Sequence, residues 1–257
     1  MDEEWIKTTD KKIINLIRLT RKNTLDYINK DINVSTKTTR KDLVTNVDKS
    51  NEQFLVNNIR EIDPKSKILG EEGFGDNVNS MSGHVWIIDP IDGTMNFVKE
   101  KNHFAIMLAL YIDGKGILGY ILDVMQNKLY HGIFGKVYEN DKEIFSPKNI
   151  SLNNGLMGMS APLLINDYDN MQSIAHKSSG VRIYGSAGIQ FISVIKGELI
   201  GYISHLKPWD IAAGKVMCDS LGITVTTIDG NALDMVSSET VLIATKIAHK
   251  EILDLVK

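Results

Sequence analysis

Asp89-Pro90-Ile91-Asp92-Gly93-Thr94 sets two carboxylates on one stiff turn. The apolar run Val85-Trp86-Ile87-Ile88 leads into Asp89 as a strand. Pro90 then stiffens the chain, because its ring fixes φ and its nitrogen cannot donate to a sheet. Gly93 permits a sharp bend, and Thr94 opens a helix through Phe97. Two carboxylates held this way can face one point, and oxygen-only ligands suit hard cations such as Mg²⁺. The helix start adds N–H groups able to hold a phosphate.

Other acids occupy similar surroundings. Glu71 and Glu72 lie on the glycine-bounded turn Gly70-Glu71-Glu72-Gly73, Asp210 follows Pro208-Trp209 and opens a helix, and Asp42 and Asp48 bracket Leu43-Val44-Thr45. Gathering such groups is repulsive unless cations compensate. Taken singly, each acid is as well explained by a helix cap or a loop turn. The distinctive feature is the pair Asp89 and Asp92, with Pro between them and Gly-Thr after.

Four segments in order carry a resemblance to a known family. They are Asp42-Leu43-Val44-Thr45-Asn46-Val47-Asp48, Gly70-Glu71-Glu72-Gly73, Trp86-Ile87-Ile88-Asp89-Pro90-Ile91-Asp92-Gly93-Thr94-Met95-Asn96-Phe97, and Pro208-Trp209-Asp210-Ile211-Ala212-Ala213-Gly214; Gly185-Ser186-Ala187 is a weaker fifth. The chain resembles the inositol monophosphatase family of lithium-sensitive, Mg²⁺-dependent phosphatases. The resemblance implies hydrolysis of a small phosphate monoester, most simply inositol monophosphate, by water activated at a site of two to three Mg²⁺ ions. It implies that Glu71, Asp89 and the Ile91 carbonyl hold one ion and that Asp89, Asp92 and Asp210 hold a second, with Glu71 reaching a third. Asp48 and Thr94 would form a hydrogen-bonded pair orienting the attacking water, with Glu71 assisting. Substrate contacts would come from Asp92, Gly93, Thr94, Gly185, Ser186 and Asp210. The resemblance also implies a homodimer and a layered α-β-α-β-α sandwich of the sugar-phosphatase type.

One position departs from that family. Members that prefer inositol phosphates carry a Glu seven residues before the second-lobe Asp; here that position is Ile203, followed by Ser204 and His205. Selectivity for hydroxyls rests on satisfied polar contacts, so the substrate stays open: NADP (at its 2′-phosphate), fructose bisphosphate and adenosine bisphosphate are alternatives to inositol monophosphate. A non-catalytic metal-binding protein is the alternative from another class, and the Asp48–Thr94 pair argues against it.

Several other features read as structure. Gly114-Lys115-Gly116-Ile117-Leu118-Gly119 matches a dinucleotide fingerprint literally, but a second strand follows it instead of a helix, so a hairpin turn is expected. Gly70 to Gly75 begins like a phosphate loop, yet Asp76 stands where Lys would be needed. The six histidines show no metal-ligand spacing, and His205 alone lies near Asp210 in sequence. Lys37 falls in a polar loop from which it could reach a phosphate. Cys218, Met107 and Met217 read as core.

The elements that must position these residues follow from periodicity. The first thirty residues read as helix, with Ile13, Ile14, Ile17, Leu25 and Ile28 near helical spacing. Asn33 to Lys41 reads as a loop or hairpin, and a helix follows Asp48 and stops before Pro64. A short strand from Ile68 runs into the glycine turn. His84 to Asp89, Phe104 to Ile112, Ile117 to Asp123 and Lys128 to Phe134 read as strands, the last three as an antiparallel meander. Phe145 to Gly155, rich in Pro, Asn and Ser, is the expected lobe boundary. Beyond it, Ala187 to Lys196 reads as helix, Leu199 to Ser204 as strand and Trp209 to Leu221 as a helix stopped by Gly222. Val241 to Thr245 and Lys246 to Val256 give a last strand and helix. The expected organisation is an α+β lobe, 1–147, carrying most metal ligands, and an α/β lobe, 148–257, carrying Asp210 and substrate contacts, together one compact catalytic unit.

Bulk properties narrow the partners. The chain has 257 residues and a formal net charge of -3, with no basic excess to drive binding to nucleic acid or a membrane surface. A single cysteine permits no intrachain disulfide, and the acidic start Met1-Asp2-Glu3-Glu4-Trp5 lacks a secretion pattern. The apolar run Phe104 to Ile112 is too short to span a bilayer as a helix. A soluble, cytoplasmic protein with no nucleic-acid or membrane partner is expected.

Overall fold

The computed structural model describes residues 2–28, 33–36 and 43–256. Lys37 and Asp42 lie outside the described residues. Helix α1 (Glu3–Tyr27) starts where the Asp2 carboxylate accepts the N–H groups of Glu4 and Trp5 at 3.0 and 3.2 Å. Strands β1 (Val34–Thr36) and β2 (Leu43–Thr45) pair antiparallel. Helix α2 (Asn46–Ile62) follows at once, capped by Thr45. It therefore begins before Asp48, because Thr45 and Asp48 form a reciprocal capping box that draws Asp48 into the first turn.

Strands β3 (Lys67–Gly70) and β4 (His84–Asp92) lead into the short helix α3 (Thr94–Lys99). Then come β5 (Ala105–Ile112), β6 (Lys115–Asp123), β7 (Lys128–Ile133), β8 (Lys136–Glu139) and β9 (Lys142–Ile144). These form one seven-stranded sheet in the order β3-β4-β5-β6-β7-β8-β9, parallel at β3–β4 and antiparallel elsewhere. The Gly114 segment is a hairpin: Ile112 pairs with Lys115 across Asp113 and Gly114, both left-handed at φ 49 and 76°.

The second half contains β10 (Leu156–Met159), α4 (Ala161–Ile165), α5 (Met171–Lys177), β11 (Gly180–Arg182), α6 (Ala187–Ile195), β12 (Gly201–Leu206), α7 (Pro208–Leu221), β13 (Thr224–Thr227), β14 (Glu239–Ala244) and α8 (Lys246–Val256). A five-stranded sheet runs β11-β10-β12-β14-β13. The strand expected at Leu199 lies two residues later, because the Leu199 N–H still turns back to Ser193 O of α6; the chain joins the sheet only from Ile200, whose N–H reaches Leu156 O and whose O accepts from the Thr245 N–H. The short strands β8 to β11 and β13 and helices α4 and α5 add to the expected elements.

Strand alternation builds the layers. One face of the first sheet, with Trp86, Ile88, Ile106, Leu108 and Tyr120, packs on Ile13, Ile17, Leu55 and Ile59 of α1 and α2. Its other face, with Val85, Ile87, Met107 and Ala109, meets Phe191 of α6 and Ala213 and Met217 of α7. Tyr202, Val241 and Ile243 of the second sheet close the same core from beyond those helices. The outer face of the second sheet, with Met159, Ile203 and Leu242, is covered by Leu163, Ile174 and Ile252 of α4, α5 and α8. The order is α-β-α-β-α, as expected. Cys218, Met107 and Met217 are all fully buried core residues.

Candidate active site

The irregular last part of β4, which runs past the expected end at Asp89 to Asp92, is held from its own backbone. The Ile91 N–H donates to Asp89 Oδ1 at 3.0 Å, an Asx-type turn. Pairing with β5 becomes irregular between Asp89 and Asp92, where Pro90 offers no donor. Gly93 has φ 88°, and a Cβ there would stand 2.9 Å from Ser186 Cβ, so both conformation and space require glycine.

Asp92 reaches across the molecule to the start of α6. Its Oδ1 accepts the Ala187 N–H at 2.9 Å, its Oδ2 accepts the Gly188 N–H at 2.8 Å, and the Ser186 hydroxyl donates to Oδ2 as well. Asp210 stands in the first turn of α7, its Oδ2 accepting the Lys207 N–H at 2.8 Å. Carboxylate oxygens of Asp89, Asp92 and Asp210 lie within 4.8 Å of one another. Glu71 joins them around a cavity of about 190 Å³, with Ile91, Gly93, Thr94 and Gly185 in its wall.

Asp48 sits behind this cavity, fully buried in the first turn of α2. Its Oδ2 accepts the Thr45 N–H at 2.9 Å and the Thr45 hydroxyl. The Thr94 hydroxyl is 2.9 Å from Asp48 Oδ1 and 3.1 Å from the Ile91 carbonyl, and its single proton favours the carboxylate. Segments far apart in sequence thus meet at the ends of β4 and β12 and the starts of α2, α6 and α7.

Electrostatics at the cluster are unfavourable for four bare carboxylates. Burial, then the negative charge of Glu71 and Asp92, pushes the Asp89 carboxyl well above the usual range. Burial lifts Asp92 to about 6 against the opposing hydrogen bonds from Ser186, Gly188 and Ala187. Burial and the charge of Asp92 lift Asp210 to about 8. Burial also raises Asp48, opposed by hydrogen bonds from Thr45 and Thr94. A convergent set of oxygen donors with such repulsion fits small hard cations.

A larger cavity of about 930 Å³ opens beside the acidic one, sharing Asp92, Gly93, Gly185 and Asp210 with it and adding Ser186. Tyr202, Ser204 and Leu206 of β12 face into it.

The family model for the inositol monophosphatase family matches residues 3–257. The chain belongs to the inositol monophosphatase family. As such it is a phosphatase, a hydrolase of phosphate esters. It is 36% identical over 233 residues to inositol-1-monophosphatase of Bacillus subtilis strain 168, covering 88% of each chain. Its fold is similar to that of a crystal structure of staphylococcal IMPase-I complexed with products, at a TM-score of 0.90 and 31% identity, covering 97% of this chain and 95% of that one. It is also similar to an IMPase/NADP phosphatase complexed with Mg²⁺ and phosphate, at a TM-score of 0.88 and 31% identity, covering 97% and 95%.

Within this inositol monophosphatase fold, Ile203 is turned away from the site. It packs in the outer core with Met159 and Leu242, while its neighbours Tyr202 and Ser204 line the large cavity. His205 is exposed, with Thr240 as its neighbour at 3.5 Å, and does not line either cavity. The Gly70 to Gly75 segment is held by Asp76, which accepts the Ile68 N–H at 2.9 Å and pairs with Arg60. Beside this site stands a polar residue that no sequence motif marks, Glu52, fully buried on α2. Its signal was available. The buried stripe Val47, Asp48, Asn51, Glu52, Leu55, Val56 and Ile59 carries three polar residues among four apolar ones. Among the described residues no helix is long and apolar enough to cross a membrane.

Proposed function

We propose that this chain hydrolyses a small-molecule phosphate monoester with Mg²⁺, inositol monophosphate first among its substrates. The observation that carries the reading is the convergence of Asp89, Asp92 and Asp210 oxygens within 4.8 Å, beside a Thr94–Asp48 hydrogen bond of 2.9 Å. Glu71, Asp89 and the Ile91 carbonyl would hold one ion. Asp89, Asp92 and Asp210 would hold a second, and Glu71 would reach a third. Bound Mg²⁺ lowers the pKa of water and offsets charge on phosphoryl oxygens.

The chain's own groups orient the reaction. Thr94 Oγ1 donates to Asp48 Oδ1 and keeps lone pairs for an attacking water. As water attacks, Thr94 Oγ1 takes its proton and passes its own to Asp48 Oδ1, a carboxylate whose burial makes it a better acceptor. Gly93 and Thr94 backbone N–H groups hold the phosphate, and Asp210 stands toward the leaving group. Gly185 and Ser186 shape the wall on the substrate side. In this reading residues 1–147 and 148–257 act as two lobes of one catalytic unit, the second supplying Asp210. We also take the enzyme to work as a cytoplasmic homodimer, in keeping with its family and its single buried cysteine.

A second reading concerns the substrate. The 930 Å³ cavity lies near the upper end of the ~300–1,000 Å³ spanned by small-molecule clefts. Val34, Met95, Val98 and Ile183 give it apolar walls, and the β12 residues that face it, Tyr202, Ser204 and Leu206, offer no carboxylate to hydroxyls. Both favour a bulkier ester such as NADP. Phosphate release should be measured on inositol monophosphate, NADP, fructose bisphosphate and adenosine bisphosphate, with Mg²⁺, with EDTA and with added Li⁺. Activity that survives complete chelation would end the metal-dependent reading, and the order of kcat/KM among substrates decides the preferred ester.

A further inference from the structure

Glu52 lies one helical turn beyond Asp48, at the i+4 position on the same face of α2, and both are fully buried. The Glu52 carboxylate points at the turn that carries Glu71. Its Oε2 accepts the Glu72 N–H at 2.7 Å, and its Oε1 accepts the Phe74 N–H at 2.9 Å. A Cβ on Gly70 would stand 2.5 Å from both the carboxylate carbon and Oε1, so the backbone on the near side of Glu71 closes directly over this group. Glu71 is thus bracketed, with Gly70 packed on the carboxylate before it and Glu72 and Phe74 bonded to it after.

An ionised acceptor makes stronger bonds to N–H groups than an amide carbonyl does. A glutamine can present only one oxygen to two donors, and its NH₂ would face the second N–H. A buried carboxylate must be bonded to be tolerated, and Glu52 is bonded to the Glu71 turn through both oxygens. The same helix, α2, carries Asp48 to Thr94 at one end of a turn and grips the Glu71 turn at the other.

We propose that Glu52 is a positioning residue for catalysis: by clamping the turn 70–74 it fixes where the Glu71 carboxylate stands relative to the Asp48–Thr94 pair. The proposal rests on the reading of Glu71 as a metal ligand given above. Glu52 need not touch substrate or metal. One rigid helix then sets the spacing between the pair that orients water and the ligand that holds the cation, and neither can shift without the other.

The test uses the full-length protein, with Mn²⁺ alone as the probe, titrated by calorimetry and by the electron paramagnetic resonance of free Mn²⁺. Glu52→Gln, Glu71→Gln and the double variant are compared with wild type, and kcat and the Mg²⁺ concentration for half-maximal rate are measured on the best ester. Loss of a group that orients a ligand typically weakens metal affinity by roughly 10- to 100-fold. Glu52→Gln should weaken Mn²⁺ binding by that order and raise the half-maximal Mg²⁺, with kcat largely recovered at saturating Mg²⁺. The double variant should bind Mn²⁺ no more weakly than Glu71→Gln alone, because Glu52 acts through Glu71. Unchanged Mn²⁺ binding in Glu52→Gln with weakened binding in Glu71→Gln, or fully additive losses, would overturn the clamp. Unchanged binding in Glu71→Gln would overturn the ligand reading and the clamp with it. If Glu52→Gln does not fold, Gly70→Ala, which presses a methyl on the carboxylate while keeping its charge, should weaken Mn²⁺ binding likewise, and normal binding there would overturn the proposal.

Discussion

Asp92 commits both oxygens to α6 and still faces Asp89 and Asp210. Its three donors hold the carboxylate in one orientation, and that orientation gives the cluster its shape. Asp92→Asn keeps the size of the side chain, removes one charge, and turns an NH₂ toward one of the α6 N–H groups. The lost bond costs about 1–3 kcal/mol, but relief of repulsion from neighbouring carboxylates offsets part of it. We expect a kcat lower by roughly 10²–10³, the scale for losing one preorganised electrostatic group, with a thermal midpoint close to that of metal-free wild type. Steady-state phosphate release and a melting curve on the same preparation check this. Near-normal turnover would remove Asp92 from the mechanism. Ser186→Ala leaves the charge and the two N–H donors in place, so its loss of kcat should be several-fold smaller.

Among the elements, α2 is the one on which the site turns. Thr45 caps it, accepting the N–H groups of Val47 and Asp48 at 3.1 and 3.3 Å while donating to Asp48. Thr45→Ala should cost about 1 kcal/mol, as N-cap losses typically do, lowering the melting midpoint by roughly 2–4 °C for a chain of this size. It should also lower kcat, because the Asp48 carboxylate loses the hydroxyl bond that helps aim it at Thr94 and keeps only the Thr45 N–H. Thr45→Ser keeps the hydroxyl and should restore most of both, and equal damage from Ser and Ala would assign the effect to packing of the lost methyl. Much at this scale was legible in sequence because it is written locally. The Asp113-Gly114 turn, the Gly222 stop after α7 and the apolar run of β5 each declare themselves within a few residues. Helix α2 starts earlier than its sequence pattern suggests, since its cap is a strand residue, Thr45, whose partner Asp48 lies three residues on. Strands β8 to β11 and β13 are three or four residues each, too short to show alternation, and exist through pairing with distant partners. The candidate site residues stand in the sequence as motifs, but their bonding does not: nothing near Asp92 in sequence announces Ser186, and nothing near Glu71 announces Glu52. The direction of Ile203 depends on the register of β12, which the motif spacing does not report.

At the scale of the whole molecule, the site exists because two sheets share one helical layer. Helices α6 and α7 pack between them, so Asp92 at the end of the first sheet and Asp210 after the last strand residue of β12 arrive at the same place. The fold thereby gathers acids that repel, and its stability without metal must depend on pH. The folded carboxyls of Asp89, Asp92 and Asp210 are raised above their ordinary value of 3.8, Asp92 to about 6 and Asp210 to about 8. Below about 4 these groups are protonated in folded and unfolded chains alike and make no difference. As pH rises toward about 8 the unfolded chain ionises first and binds fewer protons than the native state, so stability falls across that window. Divalent cations bind the ionised form and release protons, which reverses the cost. The rise in melting midpoint on adding saturating Mg²⁺ should therefore be small at pH 5 and grow steadily to pH 8. In Asp210→Asn the growth between pH 6 and 8 should shrink, since a carboxyl raised to about 8 is gone. Melting curves with Mg²⁺ and with EDTA across that range read the difference directly. A Mg²⁺ shift independent of pH would show that the acids are ionised in the metal-free fold, and the charge compensation argued for this cluster would then have to come from the protein itself.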